Sequence, residues 1–302
     1  MQGGITRMGS TRARTPKNFV LDERLERYRD AIEYEPARWS GRWAHIAAPS
    51  IGADVAVPAY REVRLDLGCG KGSYLVAAAQ AEPDVLFIGI DMQPVCIAYA
   101  AQRVCEAGLA NALLVPGNGE KLAHMFAPGE LASITLNFPT PHPRKREAAE
   151  RLTTLDNLLG YRPLLAERGT IVLRTDSEPL FDYSLPQFEA AGFTVRWTSH
   201  DVRADHPAIP MSEYEERLVE EGATVHGICG ELGCAPAAEQ LEAGRKHMLD
   251  SLYDYIPDDL YEGAYIPHGM NFAIQAFRNR RRNQELRARH SAPTSSEPNA
   301  EG

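Results

Sequence analysis

Val63–Gly72 reads VRLDLGCGKG, a short run alternating apolar and polar residues that gives way to glycines at 68, 70 and 72. Alternation of this kind predicts a β-strand, and the small residues from Ser73 to about Ala81 predict a helix directly after the glycines. A glycine-rich turn between strand and helix lets a ligand approach the backbone, while the first turn of the helix offers unpaired N–H groups. The dinucleotide fingerprint G-x-G-x-x-G would need glycine at Ser73, so the spacing here, G-x-G-x-G preceded by Asp66, makes an NAD site the weaker reading. Val85–Ile90 is almost continuously apolar, as a strand buried on both faces must be. It ends at Asp91, 19 residues past Gly72, where an acid can accept hydrogen bonds from ribose hydroxyls.

The alternation continues outward. Pro94 suits the first position of a helix that runs to about Ala107, with Gly108 just beyond its end. Further strands are expected at Ala112–Val115, Ala132–Asn137, Gly169–Arg174 and Phe193–Thr198, with helices near 147–166 and 178–191. Such a β/α order predicts a mostly parallel sheet covered by helices, with ligands bound beyond the carboxyl ends of the strands. Past residue 230 the pattern gives way to an acidic stretch, a helix from Asn271 to about Arg289 and a Ser/Pro/Glu/Ala tail. The expected organisation is a basic arm over 1–20, one α/β domain over 21–230, a partly helical extension over 231–290 and a disordered tail over 291–302.

The 302 residues carry a formal charge of −9, so affinity for nucleic acid has to rest on local basic patches. Arg7, Arg12, Arg14 and Lys17 form one such patch. Six arginines against one glutamate over 278–289 form another. Solvated tails are the competing reading of both. Five cysteines are too few and too scattered for a disulfide framework, and no apolar run approaches the roughly 20 residues of a membrane span. A cytoplasmic protein without membrane contact is expected. His226, Cys229, Cys234 and a distant His247 match no strong zinc pattern, and no metal is expected.

Asn137–Arg146 reads NFPTPHPRKR. Pro139, Pro141 and Pro143 hold the intervening residues in a stiff stretch, so Thr140 and His142 are expected to be presented rather than buried. Arg144, Lys145 and Arg146 then set cations beside the loop, which suits an anionic macromolecule.

DLGCGKG, FIGID, NFPTPHPRKR, LRTD and MSEYE, in this order, resemble the bacterial tRNA (guanine-N7)-methyltransferase family, the TrmB type. The likeness runs from about Pro16, through Gly41-Arg42-Trp43, to about Cys229. It implies a Rossmann-like class I methyltransferase fold, α/β with a seven-stranded mostly parallel sheet and helices on both faces. S-adenosyl-L-methionine is the implied cofactor, and guanine 46 in the variable loop of tRNA the implied acceptor, methylated at N7. Position by position, Asp66, Gly68, Gly70, Gly72, Asp91 and Asn118 fall on cofactor contacts. Thr140 falls on the family's loop aspartate, at the reacting centre and beside the cofactor. Arg144, Asp176, Ser212, Glu213, Tyr214 and Glu215 fall on the tRNA side, with Asp176 the candidate catalytic carboxylate that orients the base.

Several local readings compete with these roles. Asn118 in Gly117-Asn118-Gly119 also suits a tight turn, Asp176 a helix N-cap, and Ser212 with Glu215 a capping box. The family usually carries Asp at the positions of Asn118 and Thr140 and Trp at that of His142. Two readings therefore stay open beside the enzyme: a non-catalytic or slow tRNA- or cofactor-binding paralogue, and a methyltransferase of this fold acting on another acceptor. Guanine N7 is an exposed lone pair on the major-groove edge, so its methylation needs no general base. Positioning and carboxylates that accept from the base are what the chemistry requires.

Overall fold

In the computed structural model, residues 19–46, 59–258, 260 and 263–291 are described, without the side chains of residues 120 and 285–291. Seven strands form a single sheet: β1 (Glu62–Leu67), β2 (Val85–Asp91), β3 (Ala112–Pro116), β4 (Leu131–Asn137), β5 (Leu165–Thr175), β6 (Phe193–Ser199) and β7 (His226–Leu232). Their order is β3-β2-β1-β4-β5-β7-β6. All neighbours are parallel except β7, which runs antiparallel to both β5 and β6. The order reverses direction between β1 and β4, and that switch point is where an open α/β sheet forms its ligand crevice.

Side-chain alternation on β2 explains why its sequence is apolar throughout. Val85 and Phe87 pack with Leu75, Ala78, Ile97 and Ala100 of α2 (Ser73–Ala81) and α3 (Pro94–Glu106). Leu86, Ile88 and Ile90 point the other way, into a larger core with Leu65, Leu67, Leu113 and Phe126. The small residues of α2 and α3 let both helices lie close to the sheet. Ahead of the sheet, α1 (Leu21–Arg27) packs along α3. Trp43 is fully buried, with Nε1 donating to the Met125 carbonyl at 2.8 Å beside the single turn of α4 (Leu122–Met125).

The helix expected over 147–166 is broken in three. A 3-10 turn over Lys145–Glu150 stops at Arg151, and α5 (Leu155–Tyr161) restarts where the Thr154 hydroxyl caps it by accepting from the Asn157 N–H at 3.3 Å. A second 3-10 turn with Pro163 ends it, and β5 begins at Leu165, four residues before the glycine expected to open it. Past β5 come α6 (Glu178–Ala190), α7 (Val202–Asp205) and α8 (Glu213–Glu220).

The region after residue 230 is better ordered than its composition suggests. Strand β7 runs to Leu232, α9 (Ala238–His247) packs on α6, and α10 spans Asn271–Ser291. Leu252, Ile256, Met270, Ala273 and Ile274 share an apolar cluster with Leu180 and Tyr183 of α6. The extension is thus seated on the sheet domain through α6. Most of the expected N-terminal arm, residues 1–18, lies outside the described residues, and so does the tail from 292. Among the described residues no helix is long and apolar enough to cross a membrane.

Candidate functional site

The loop joining β1 to α2 owes its shape to the glycines. Gly70 has φ +55°, and a Cβ there would meet nothing within 4 Å, so its backbone faces open space. Gly72 has φ +76° and a Cβ would stand 2.7 Å from that of Ala100, which is what lets α2 lie against α3. Asp91 pins this loop from the next strand. Its Oδ2 accepts from the Gly70 N–H at 3.0 Å and its Oδ1 from the Gln93 N–H at 2.8 Å. Burial raises the Asp91 carboxyl above its usual range, and these two donors work against that rise.

Gly68, Asp91, Gln93, Asn137, Phe138, Thr140 and His142 line one cleft at the carboxyl ends of the strands. Asn118 follows β3 and is half-buried; Gly117 ahead of it donates to the Asp91 carbonyl at 3.0 Å, which sets the Gly117-Asn118-Gly119 turn beside that cleft. Asp66 is the residue before the last of β1 and is buried. Its Oδ1 accepts from Asn137 Nδ2 at 3.1 Å, whereas its Oδ2 is buried without a hydrogen-bond partner. Desolvation pushes this carboxyl up to about 7, against the pull of Arg174 and the Asn137 hydrogen bond and with a small push from Asp91. A buried carboxylate oxygen with no donor, next to an open glycine turn, is the group an ammonium would complete.

Asn137 extends this contact into a chain. Its Oδ1 accepts from Arg174 Nε at 2.8 Å, Arg174 Nη1 donates to Glu215 Oε2 at 3.0 Å, and Arg203 Nε lies 2.9 Å from Glu215 Oε1. Sequence reasoning placed Glu215 against the acceptor. The structure turns it inward, 0% exposed between two guanidiniums, so it cannot meet a base without unpairing both. Ser212 is likewise a cap: its hydroxyl accepts from the Glu215 N–H at 3.1 Å and is buried. Only the first half of the capping box forms, because the Glu215 carboxylate is engaged by the arginines.

Of the two other residues of this motif, Glu213 is exposed and Tyr214 half-buried. Glu213 makes a double contact with Arg103 of α3, 2.6 Å for each oxygen, bridging α8 to the helix beside the glycine loop. Tyr214 packs edge-on against Phe138 with ring centroids 5.4 Å apart, so it touches the loop that lines the cleft.

Within that loop Thr140 is exposed, as expected, but His142 is tucked in. Its ring is 11% exposed, Nδ1 is 3.7 Å from Glu150 Oε2, and desolvation holds it below the ordinary histidine range despite the neighbouring acids. Phe138 and His142 both have positive φ, +49° and +46°, a conformation disfavoured for residues with a Cβ. Arg151, missed by sequence reasoning, holds it. Fully buried, this arginine donates to the carbonyls of Pro141, His142 and Asp250 and lies 4.4 Å over the Tyr183 ring. An arginine just after a proline-rich loop was the available signal. Of the basic run, Arg144 and Arg146 both lie near Glu147, at 3.3 and 3.5 Å, which offsets part of the loop's charge, and Lys145 is exposed.

Asp176 follows β5 and is not the cap of α6. Ser177 takes that place, its hydroxyl accepting from the Leu180 N–H at 3.3 Å. The Asp176 carboxylate is 7% exposed and receives two bonds on Oδ2, from Tyr265 Oη at 2.8 Å and the His268 N–H at 3.0 Å. Both donors come from the C-terminal extension. Among the described residues no group of three or more His, Cys, Asp or Glu could hold a metal ion.

Residues 60–228 match the model of a methyltransferase family, Methyltransf_4. The chain is 34% identical over 194 residues to a tRNA (guanine-N(7)-)-methyltransferase of Streptococcus suis (strain 05ZYH33), covering 64% of this chain and 87% of that protein. It is 31% identical over 216 residues to that of Streptococcus uberis (strain ATCC BAA-854 / 0140J), covering 71% and 98% respectively. The solved 16S rRNA methyltransferase KamB aligns at 15% identity with a TM-score of 0.45, over 58% of this chain and 89% of that one.

Proposed function

Since the chain belongs to the S-adenosylmethionine-dependent tRNA (guanine-N7)-methyltransferase family, we propose that it methylates N7 of guanine 46 in the variable loop of tRNA, using the cleft between β1, β2 and the Asn137–Arg146 loop. The observation that carries this reading is the position of one loop. Phe138–Thr140 lines the Gly68 and Asp91 cleft on one side, and through Phe138 it touches Tyr214 on the other. A cofactor in the cleft and a base beside Tyr214 would therefore meet across Thr140.

When bound, S-adenosylmethionine supplies a methyl group on a positively charged sulfur. Its methionine ammonium would pair with Asp66, whose Oδ2 has no hydrogen-bond partner, the Gly70 turn would give its chain access to backbone, and Asp91 would accept from its ribose. Asn118, on the turn after β3, would bond the adenine edge. The acceptor nitrogen needs no deprotonation, so the chain's work is to hold guanine in line, with reacting atoms roughly 3–3.5 Å apart. Asp176 accepts from the guanine N1–H and N2–H₂ edge and steadies the positive charge that moves onto the purine. Tyr214 supplies an aromatic face, and Arg144 and Lys145 meet phosphates, giving affinity without sequence information.

Thr140 stands where a carboxylate is usual. Its hydroxyl forgoes a charged hydrogen bond worth roughly 1.5–3 kcal/mol, which lowers the rate without abolishing it. Incubating the protein with labelled S-adenosylmethionine and tRNA lacking the modification, then mapping the label, tests the proposal. Label on guanine N7 of the variable loop is the expected result; cofactor binding without transfer would leave a binding paralogue.

A further inference from the structure

The family model ends at residue 228, ahead of the extension. Yet its atoms reach the centre of the proposed acceptor site. Tyr265 Oη and the His268 N–H converge on Asp176 Oδ2 and leave Oδ1 outside those two bonds. Next to this contact is a shallow cavity whose walls are shared: Tyr214, Arg217 and Glu221 come from α8 and its end, Tyr265, His268 and Asn271 from the extension.

The same segment braces the Asn137–Arg146 loop from outside. Leu252 N–H and Ser251 Oγ both donate to the Pro143 carbonyl, at 2.9 and 3.0 Å, and a Cβ on Gly269 would lie 3.1 Å from the Pro141 ring. Phe272 is 77% exposed beside this brace, with the Arg144 guanidinium 5.9 Å from its ring centroid. The apolar cluster on α6 fixes the segment, so these contacts are those of a seated element.

Building on the proposed function, we infer that the extension is a wall of the acceptor site and that Tyr265 is a positioning residue, holding the Asp176 carboxylate so that Oδ1 meets guanine. A carboxylate with one oxygen fixed by two donors has lost rotation about its terminal torsion, so less ordering remains to be done when the base arrives. Here this restraint accompanies a loop that carries Thr140 in place of an acid, and so leaves Asp176 as the acceptor-side carboxylate.

The test is a double-mutant cycle on the full chain, with Tyr265→Phe, Asp176→Ala and the pair, followed by methyl transfer to unmodified tRNA at saturating cofactor. Tyr265→Phe removes one oxygen and is expected to lower kcat/KM for tRNA roughly tenfold while the S-adenosylmethionine dissociation constant and the melting temperature stay near wild type. In the Asp176→Ala background the same change is expected to cost nothing, because its effect passes through the carboxylate. Dissociation constants for tRNA close the same cycle where turnover is too slow to follow. Equal losses in both backgrounds, or no loss in either, would overturn the inference. A gain in activity for Tyr265→Phe would also overturn it, showing the extension to be a plug whose two donors take the place of the guanine edge. A wild-type protein that binds cofactor but transfers nothing would instead remove the proposed function itself.

Discussion

Arg174 Nη1 and Glu215 Oε2 lie 3.0 Å apart with both side chains enclosed, 1% and 0% exposed, on β5 and α8 respectively. Through Asn137 the same arginine reaches Asp66 at the end of β1. Through Asn137, which lines the cleft, the pair therefore joins that cleft to the helix that carries Tyr214. Burying two ions is costly, and removing one partner leaves the other uncompensated.

Glu215→Gln is expected to destabilise the protein by about 3–5 kcal/mol, since Arg174 and Arg203 would share no counter-charge. Urea denaturation measures this directly. A variant of wild-type stability with a raised KM for tRNA would instead return Glu215 to the acceptor surface, where sequence reasoning had put it.

That reversal marks the limit of what the sequence carried. The strand, glycine turn and helix at Val63–Ala81, the strand ending at Asp91 and the helix from Pro94 were legible because local periodicity and turn chemistry both point one way. Strand β7 was not, because Gly227 and Gly230 interrupt its apolar run; both glycines are needed, one packed under Trp197 and the other under Phe188. The orientation of a motif was equally hidden. Ser212-Glu213-Tyr214-Glu215 fits a clamp and a helix start alike, and only the arginines on β5 and α7 decide that two of its four residues face inward. Arg151, Tyr265 and His268 act on the loop and on Asp176 across roughly 10 to 90 residues of chain, a distance at which spacing carries no signal.

Asp66 is expected to make cofactor binding depend on pH. Burial raises its carboxyl to about 7, so near neutrality the free protein holds it partly protonated, and a bound ammonium would favour the charged form. Affinity for S-adenosylmethionine is therefore expected to rise between about pH 6 and 8 and then level, with proton release on binding. Calorimetry in buffers of different ionisation enthalpy reads that release, and Asp66→Asn should weaken binding and remove the slope. For the free protein the sign is opposite: the folded state binds the extra proton, so this residue's contribution to stability falls as pH rises from about 4 to 7.

His226 acts the other way. Buried on β7 beside His200, it is pushed down to about 4, chiefly by desolvation. The unfolded chain takes up a proton below about 6.5 while the folded one does not, so stability is lost as pH falls from about 6.5 to 4. Replacing it with an apolar residue, His226→Leu, should flatten the melting-temperature profile over that window. A slope unchanged in the variant would assign the acid loss to other groups.

Thr140 and Asp176 are expected to contribute unequally. Thr140 offers a neutral hydroxyl at an exposed loop position, whereas Asp176 presents a carboxylate that Tyr265 and His268 hold in place. On the proposed role, Asp176→Ala would remove a charge-assisted partner of the guanine edge and leave two donors unpaired, so kcat/KM should fall by about tenfold to a few hundredfold. Thr140→Ala should cost less. The informative variant is Thr140→Asp: the loop is pinned through the Pro141 and His142 carbonyls by Arg151 and not through residue 140, so an acid can enter without rebuilding it. Steady-state rates on unmodified tRNA are expected to hold or rise. A clear fall would mean that the cleft is fitted to a hydroxyl and that the second carboxylate has become a liability in this chain.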